Sequence, residues 1–283
     1  MNRPQLSTMG LKHNPFAPSV PNGALYVSPE IESFCWRVVQ LAREGGFALL
    51  TGLPGTGKSA ALRILQDRLG EVPELRVGVL SRPQSNVADF YREMGELFGV
   101  HLSPHNRWAG SKVLRERWEE HIQSALFRPV LLIDEAQEML SAVLEELRLL
   151  GSAKLDSRQL LTVVLAGDQR LPERFRTDAL LPLGSRIRVR LTLGPHDTDV
   201  LRGLLAHAIE QAGNPALMSC PLQDTLCDHA AGNYRSLMSM ADELLATAVQ
   251  KELGQLDEKL YFDVFGGAQS TPLGRKPAKG RRR

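Results

Sequence analysis

Residues 52–59, Gly-Leu-Pro-Gly-Thr-Gly-Lys-Ser, follow the spacing G-x-x-x-x-G-K-[ST]. Residue types in that order suit one task, the cradling of a polyphosphate. Glycines let the chain curl until successive N–H groups converge on an anion. A helix starting there adds the positive end of its dipole. A lysine then reaches the β- and γ-phosphates, and a hydroxyl sits on Mg²⁺. Gly52, Pro54, Gly55, Thr56, Gly57, Lys58, Ser59 and Ala60 are therefore expected to bind a nucleotide, with Lys58 on its phosphates and Ser59 on the metal. At average residue frequencies chance would place this pattern in a chain of 283 residues about 1% of the time, so a nucleotide site is the stronger expectation.

The second chemical landmark is Asp134-Glu135, directly after the apolar run Val130-Leu131-Leu132-Ile133. Such a run suits a strand buried on both faces of a parallel sheet, and carboxylates at its C-terminal end fall on the edge where open α/β sheets bind ligands. Asp134 is the candidate for holding Mg²⁺ and Glu135 for polarising the water that attacks a γ-phosphate. The competing view is an acidic cap for a helix starting at Ala136. Beside a phosphate loop the catalytic expectation prevails.

These residues need strands and helices to hold them. Phe47 to Thr51 reads as a strand ahead of the phosphate loop, and Ala60 to Leu65 opens a helix behind it. Before them, Glu30 to Arg43 repeats apolar residues at helical intervals. Further strands are expected at Leu75–Leu80, Val130–Ile133, Leu161–Ala166 and Arg186–Leu191, the last alternating charged and apolar residues as an edge strand does. Helices are expected from Asn86 to about Phe98, from Gly110 to Phe127 and from Ala136 to Leu150. Five strands alternating with helices predict a doubly wound parallel sheet. After Gly194-Pro195 amphipathic helices follow one another, near Val200–Ile209, Leu222–Ala230, Arg235–Lys251 and Leu256–Val264. The expected division is an extended lead-in (1–29), an α/β nucleotide-binding domain (30–193), a small helical lid (194–266) and a disordered basic tail (267–283).

Composition excludes several classes. Apolar content of 43% and charged content of 23% are those of an ordinary globular chain. No apolar run approaches the roughly 18 residues of a membrane helix, and the N-terminus lacks the apolar stretch of a secretory signal. Three cysteines, Cys35, Cys220 and Cys227, are too few for a disulfide framework and lack metal-ligand spacing. A cytoplasmic protein without membrane contact is expected. Net charge is +2, yet the last nine residues hold six basic side chains and no acidic one, leaving −4 on the remainder. That tail suits either phosphates of a nucleic acid or plain solvation.

Taken together, the phosphate loop, the Leu-Ile-Asp-Glu-Ala-Gln run (132–137), the five-strand pattern and the helical lid resemble AAA+ ATPases of the P-loop (ASCE) class. Within these the chain is similar to the ExeA-like group, which includes the TnsC/TniB/MuB-type ATPases of DNA transposition. Asn14-Pro15-Phe16 ahead of Tyr26-Val27-Ser28, Asp134 to Gln137, Arg186-Ile187 and Gly232-Asn233-Tyr234-Arg235 carry that likeness, which spans about residues 10 to 250. The resemblance implies an arginine finger at Arg186, reaching a neighbouring subunit's site, and a lid arginine at Arg235 on the nucleotide's phosphates. An arginine suits both tasks through its planar, permanently charged fork. It places Asp168 where the family has a polar, usually neutral sensor. A carboxylate there would repel a γ-phosphate unless a cation compensates. Phe16 and Tyr26 are candidates for an adenine pocket, with core packing the alternative.

A finger acting in trans implies head-to-tail homo-oligomers, as rings or helical filaments. The resemblance thus implies an ATP- and Mg²⁺-dependent ATPase that assembles on double-stranded DNA without sequence preference and recruits a transposase. Arg107, Lys112, Arg115 and Arg117 are candidate DNA contacts, although Glu116, Glu119 and Glu120 interleave with them as on a solvated helix face. Two rivals stand beside this reading. One is an ExeA/GspA-like secretion ATPase, whose full-length members continue into a membrane helix and a cell-wall-binding domain that this sequence is not expected to contain. The other is a nucleotide-dependent scaffold with little turnover.

Overall fold

The structure, a computed structural model, describes residues 3–100, 107–124, 126–153 and 157–266. The polar connection 101–106 and the basic tail lie outside the described residues.

The chain begins with a short helix α1 (Arg3–Thr8) and a 3₁₀ turn at Asn22–Ala24. Helix α2 (Pro29–Glu44) starts where Ser28 accepts a hydrogen bond from the Ile31 N–H and Pro29 fills the first helical position. Strand β1 (Gly46–Gly52) is buried throughout and leads through the phosphate loop into α3 (Lys58–Gly70). β2 (Leu75–Leu80) follows, then α4 (Val87–Phe98), capped by Asn86 at one end and by left-handed Gly99 at the other. α5 (Arg107–Gln123) buries Leu114 and Trp118 completely, with Phe98 edge-on to Trp118 at 5.3 Å. After β3 (Arg128–Ile133) come a 3₁₀ turn (Ala136–Glu138) and α6 (Ser141–Gly151). A two-residue antiparallel pair, β4 (Ser152–Ala153) with β5 (Arg158–Gln159), precedes β6 (Thr162–Gly167). Short helices α7 (Arg170–Arg174) and α8 (Leu181–Gly184) connect it to β7 (Ile187–Leu193).

The five long strands form one sheet in the order β2-β3-β6-β1-β7, every neighbouring pair parallel. This is the parallel α/β sheet flanked by helices that the sequence predicts. The central strands β6 and β1 are apolar and covered on both faces, as parallel strands must be. β7 lies at an edge and alternates buried Ile187 and Val189 with exposed Arg188 and Arg190. Because β6 separates β1 from β3, the phosphate loop and Asp134 come from strands that are not neighbours, with the tip of β6 between them.

The chain divides into two compact units. The α/β unit holds residues 21–197 and, after an excursion, Gly232–Arg235. The helical unit holds α9 (Thr198–Ala212), α10 (Cys220–Ala230), α11 (Tyr234–Gln250) from Ser236 onward, and α12 (Glu258–Phe265). It also holds the chain up to Val20. Lys12 N–H donates to Ala212 O at 2.8 Å, and Asn14 Nδ2 to Asp242 Oδ1 at 2.7 Å.

The structure corrects several expectations. The lead-in is not extended throughout: α1 forms, and buried Leu6, Met9 and Leu11 bind that stretch into the helical unit. The helix expected at 136–150 is broken, because Met139 and Leu140 take extended backbone between the 3₁₀ turn and α6. α5 runs 107–123 and not 110–127; Leu126 N–H turns back to His121 O, and Arg128 already belongs to β3. Arg186 lies one residue ahead of β7 and not inside it.

Candidate nucleotide site

The loop and the residues that touch it lie within the α/β unit. The loop between β1 and α3 turns at Gly55 (φ +84°) and Gly57 (φ +97°), angles that side-chain-bearing residues rarely adopt. Gly52 has no room for a side chain either: a Cβ there would stand 2.6 Å from Leu193 O and 2.7 Å from Thr56 Oγ1. Thr56 Oγ1 donates to Leu53 O at 2.8 Å and closes the turn. Lys58 is buried, and its Nζ donates to Gly52 O and Leu53 O, each at 3.0 Å, so the ammonium folds over the loop it follows.

The residues fit a polyphosphate and Mg²⁺. The first amide of α3 to find a carbonyl is that of Ala61, on Gly57 O at 2.9 Å. Among the described residues the amides of Gly57, Lys58, Ser59 and Ala60 have no acceptor, as a helix N-terminus that binds an anion requires. Ser59 Oγ donates to Asp134 Oδ2 at 2.8 Å, which joins the predicted hydroxyl and carboxylate across β6. Among the described residues no three His, Cys, Asp or Glu side chains are grouped so as to hold a metal ion by themselves. A phosphate-loop Mg²⁺ needs none, since phosphate oxygens and water complete its shell.

Glu135 occupies the left-handed region (φ 51°, ψ 37°), unusual for a residue with a side chain and characteristic of functional turns. Asp134 Oδ1 accepts the Glu135 N–H at 2.9 Å. The Glu135 carboxylate accepts from Gln137 Nε2, while Gln137 Oε1 accepts the Asp168 N–H at 3.1 Å. Gly167 leaves space for this link; a Cβ there would stand 2.5 Å from Gln137 Oε1.

Asp168 does not face the loop as an uncompensated anion. Arg170 Nε donates to its Oδ2 at 2.8 Å and the Arg170 N–H to its Oδ1 at 2.9 Å. These bonds hold its carboxyl below the usual aspartate value, against the opposing effect of burial. Arg170 also pairs with Glu138 at 2.7 Å.

Gly232 to Arg235 stand beside the loop: Arg235 N–H donates to Gly55 O at 3.1 Å and Asn233 Nδ2 to Pro54 O at 3.1 Å. The exposed Arg235 guanidinium has no hydrogen-bond or ion-pair partner among the described residues. Arg186 lies elsewhere. β7 runs parallel to β1 with Ile187 opposite Phe47 and Leu193 opposite Gly52, so Arg186 is at the sheet edge away from the loop. There it donates to Pro182 O.

Of the remaining candidates, Phe16 is buried in the helical unit, and Tyr26, 40% exposed, belongs to the α/β unit. On α5, Lys112 pairs with Glu116 at 3.7 Å and Arg117 with Glu120 at 3.3 Å, the pattern of a solvated face. Arg115 is half-buried, and Arg107 opens the helix. The contacts of Gln137, Arg170 and Asn233 escape a reading of the sequence. Gln137 and Asn233 carried a signal only through their places in the Asp-Glu-Ala-Gln run and the Gly-Asn-Tyr-Arg turn.

Comparison with known proteins agrees with this fold. Residues 41–175 match the AAA domain family. The chain is 35% identical over 245 residues to general secretion pathway protein A of Aeromonas hydrophila, an alignment covering 84% of this chain and 44% of that protein. It therefore spans less than half of that relative's length. Among solved structures, the Aeropyrum pernix ORC2 protein in its ADP form is similar with a TM-score of 0.71 at 15% identity, over 90% of this chain and 72% of that one. Cdc6p from Pyrobaculum aerophilum gives 0.68 at 17%, over 86% and 67%. Drosophila ORC bound to DNA gives 0.66 at 15%, over 95% and 66%. At such identities these likenesses establish the fold.

Proposed function

We propose that this chain, whose residues 41–175 match the AAA domain family, binds ATP with Mg²⁺ at the Gly52–Ala60 loop and hydrolyses it to ADP and phosphate. One observation carries the reading: Ser59 Oγ and Asp134 Oδ2 meet at 2.8 Å beside the free amides of α3, with Glu135 next in the chain. Lys58 shifts from the loop carbonyls to the β- and γ-phosphates. Ser59 and Asp134 are the side chains that would hold Mg²⁺. Mg²⁺, when bound, offsets the charge on the phosphoryl oxygens. Glu135 orients the attacking water and takes up its proton. Asp168, neutralised by Arg170, reports on that end of the site, and Arg235 reaches the phosphates from beside the loop. The test is steady-state turnover of wild type against Glu135→Gln. The variant is expected to bind ATP and lose most turnover; undiminished turnover removes Glu135 from this role.

Arg186, at the far sheet edge, suits a finger offered to a neighbouring copy, and such contacts build rings or filaments. With the likeness to transposition ATPases in the Asp-Glu-Ala-Gln run and the Gly-Asn-Tyr-Arg turn, this supports ATP-driven assembly on double-stranded DNA and recruitment of a transposase. The 35% identity to a general secretion pathway protein favours a second reading, energy supply to a secretion partner. Binding to labelled duplex DNA, with particle size read at the same time, separates the two. ATP-dependent assemblies weakened by salt support the first; absence of DNA binding in every nucleotide state leaves the second.

A further inference from the structure

We infer that Asn233 and His196 are positioning residues that set the direction of the phosphate loop's amides, and so its affinity for a polyphosphate. Three successive loop carbonyls are held from outside. Pro54 O accepts from Asn233 Nδ2 at 3.1 Å, Gly55 O from the Arg235 N–H at 3.1 Å, and Thr56 O contacts His196 Nε2 at 3.3 Å. A carbonyl only accepts, so His196 presents its Nε2–H there. In a planar trans peptide the C=O and the following N–H point in opposite directions. Carbonyls drawn outward at 54, 55 and 56 therefore turn the N–H groups of Gly55, Thr56 and Gly57 inward. That of Thr56 bonds Leu53 O at 3.3 Å; those of Gly55 and Gly57 have no acceptor among the described residues.

The surroundings are built for this hold. A Cβ on Gly55 would stand 2.2 Å from Asn233 Oδ1, so close approach as well as the φ of +84° demands glycine. The two gripping residues are tied to each other: His196 N–H donates to Gly232 O at 3.0 Å, and a Cβ on Gly232 would meet Pro195 Cβ at 2.9 Å. His196 lies two residues before the chain leaves the α/β unit at Thr198, and Asn233 lies where it returns. The loop's peptide planes are thereby fixed by the segments through which the helical unit is attached.

This rests on the proposed ATP site, and the experiment keeps the two apart. ATP affinity and the kcat and KM of turnover are measured on the full chain for wild type, Asn233→Ala, His196→Ala and His196→Gln, with thermal unfolding as a check on folding. Glutamine places its Nε2 donor where the imidazole has its own. The alanine variants are expected to raise Kd and KM for ATP about tenfold, the loss of one oriented hydrogen bond of roughly 1–1.5 kcal/mol. kcat should change much less, and His196→Gln should recover most of the affinity. Alanine variants that bind ATP within twofold of wild type overturn the inference and leave the ATP site standing. So does a His196→Gln variant that folds like wild type yet binds no better than His196→Ala. If wild type binds no ATP, both fall together.

Discussion

Gln137 grips the carboxylate of Glu135 with its Nε2 while its Oε1 holds the backbone N–H of Asp168 at 3.1 Å. One carboxamide thus spans the ends of β3 and β6 and uses both of its faces, so neither Glu135 nor the tip of β6 can move without disturbing the other. Gln137→Ala is expected to leave ATP affinity within about twofold and to lower turnover about tenfold. That loss is smaller than the 10²–10⁴-fold range for removal of a general base, because Glu135 itself remains. Nucleotide titration beside steady-state turnover checks this. Equal losses in binding and turnover would show a general disturbance of the loop instead.

Arg170 ties Asp168 to Glu138, and its pairing holds the Asp168 carboxyl below the usual aspartate value. A carboxyl depressed in the folded state contributes stability above its unfolded pKa, about 3.9, and loses it as the pH falls through the lower folded value. Arg170→Ala should therefore lower Tm at pH 7 and make progressively less difference as the solution is acidified below the ordinary aspartate range. The exposed guanidinium keeps the effect to a few degrees at most. A Tm difference that stays constant into strong acid would assign the loss to something other than this ion pair.

The three cysteines should react at very different rates. Burial pushes the Cys35 thiol up to about 11 and raises that of Cys227 too, whereas Cys220 is exposed. Only thiolate attacks a disulfide reagent. At pH 8 the native chain is expected to release one equivalent quickly and the other two on unfolding. Two fast equivalents before unfolding would contradict the burial of one of the inner thiols.

Trp118 fills the space between α5 and α4 with no exposed surface and rests edge-on against Phe98. Trp118→Ala should cost about 3–5 kcal/mol in denaturant unfolding, the range for a buried large aromatic side chain. Trp118→Phe should cost clearly less, since most of the volume stays. A cost below about 1 kcal/mol for the alanine variant would show that α5 contributes little to the core.

The sheet and the glycine turn between β1 and α3 were legible because their signals are local. Apolar runs of strand length, with glycines and a lysine at fixed spacing, specify β1, the loop and α3 without help from distant residues. Asp134 was legible through the strand before it. The positions of Gln137 and Arg170 were not, because an amide or an arginine has the same letter on a solvated surface as in a hydrogen-bonded network. His196 and Asn233 are 37 residues apart, with α9 and α10 between them in the chain, so no local pattern links them to the loop. The compensation of Asp168 is hidden for the same reason: its cation lies two residues on, in a helix too short to show as a periodic pattern. The break at Met139-Leu140 was hidden because both residues suit a helix, and only the left-handed turn at Glu135 redirects the chain there.

From Ile187 to Leu193, β7 advances six residues at about 3.3 Å each, so roughly 20 Å of sheet separates Arg186 from the level of its own phosphate loop. No arginine side chain bridges that span, so Arg186 does not reach a nucleotide held in its own loop. If the finger contributes to the reaction, the rate per chain is then set by how many neighbours each chain has. Specific activity would climb with protein concentration and fade on dilution, and anything that gathers copies along one template would switch the chemistry on by crowding alone.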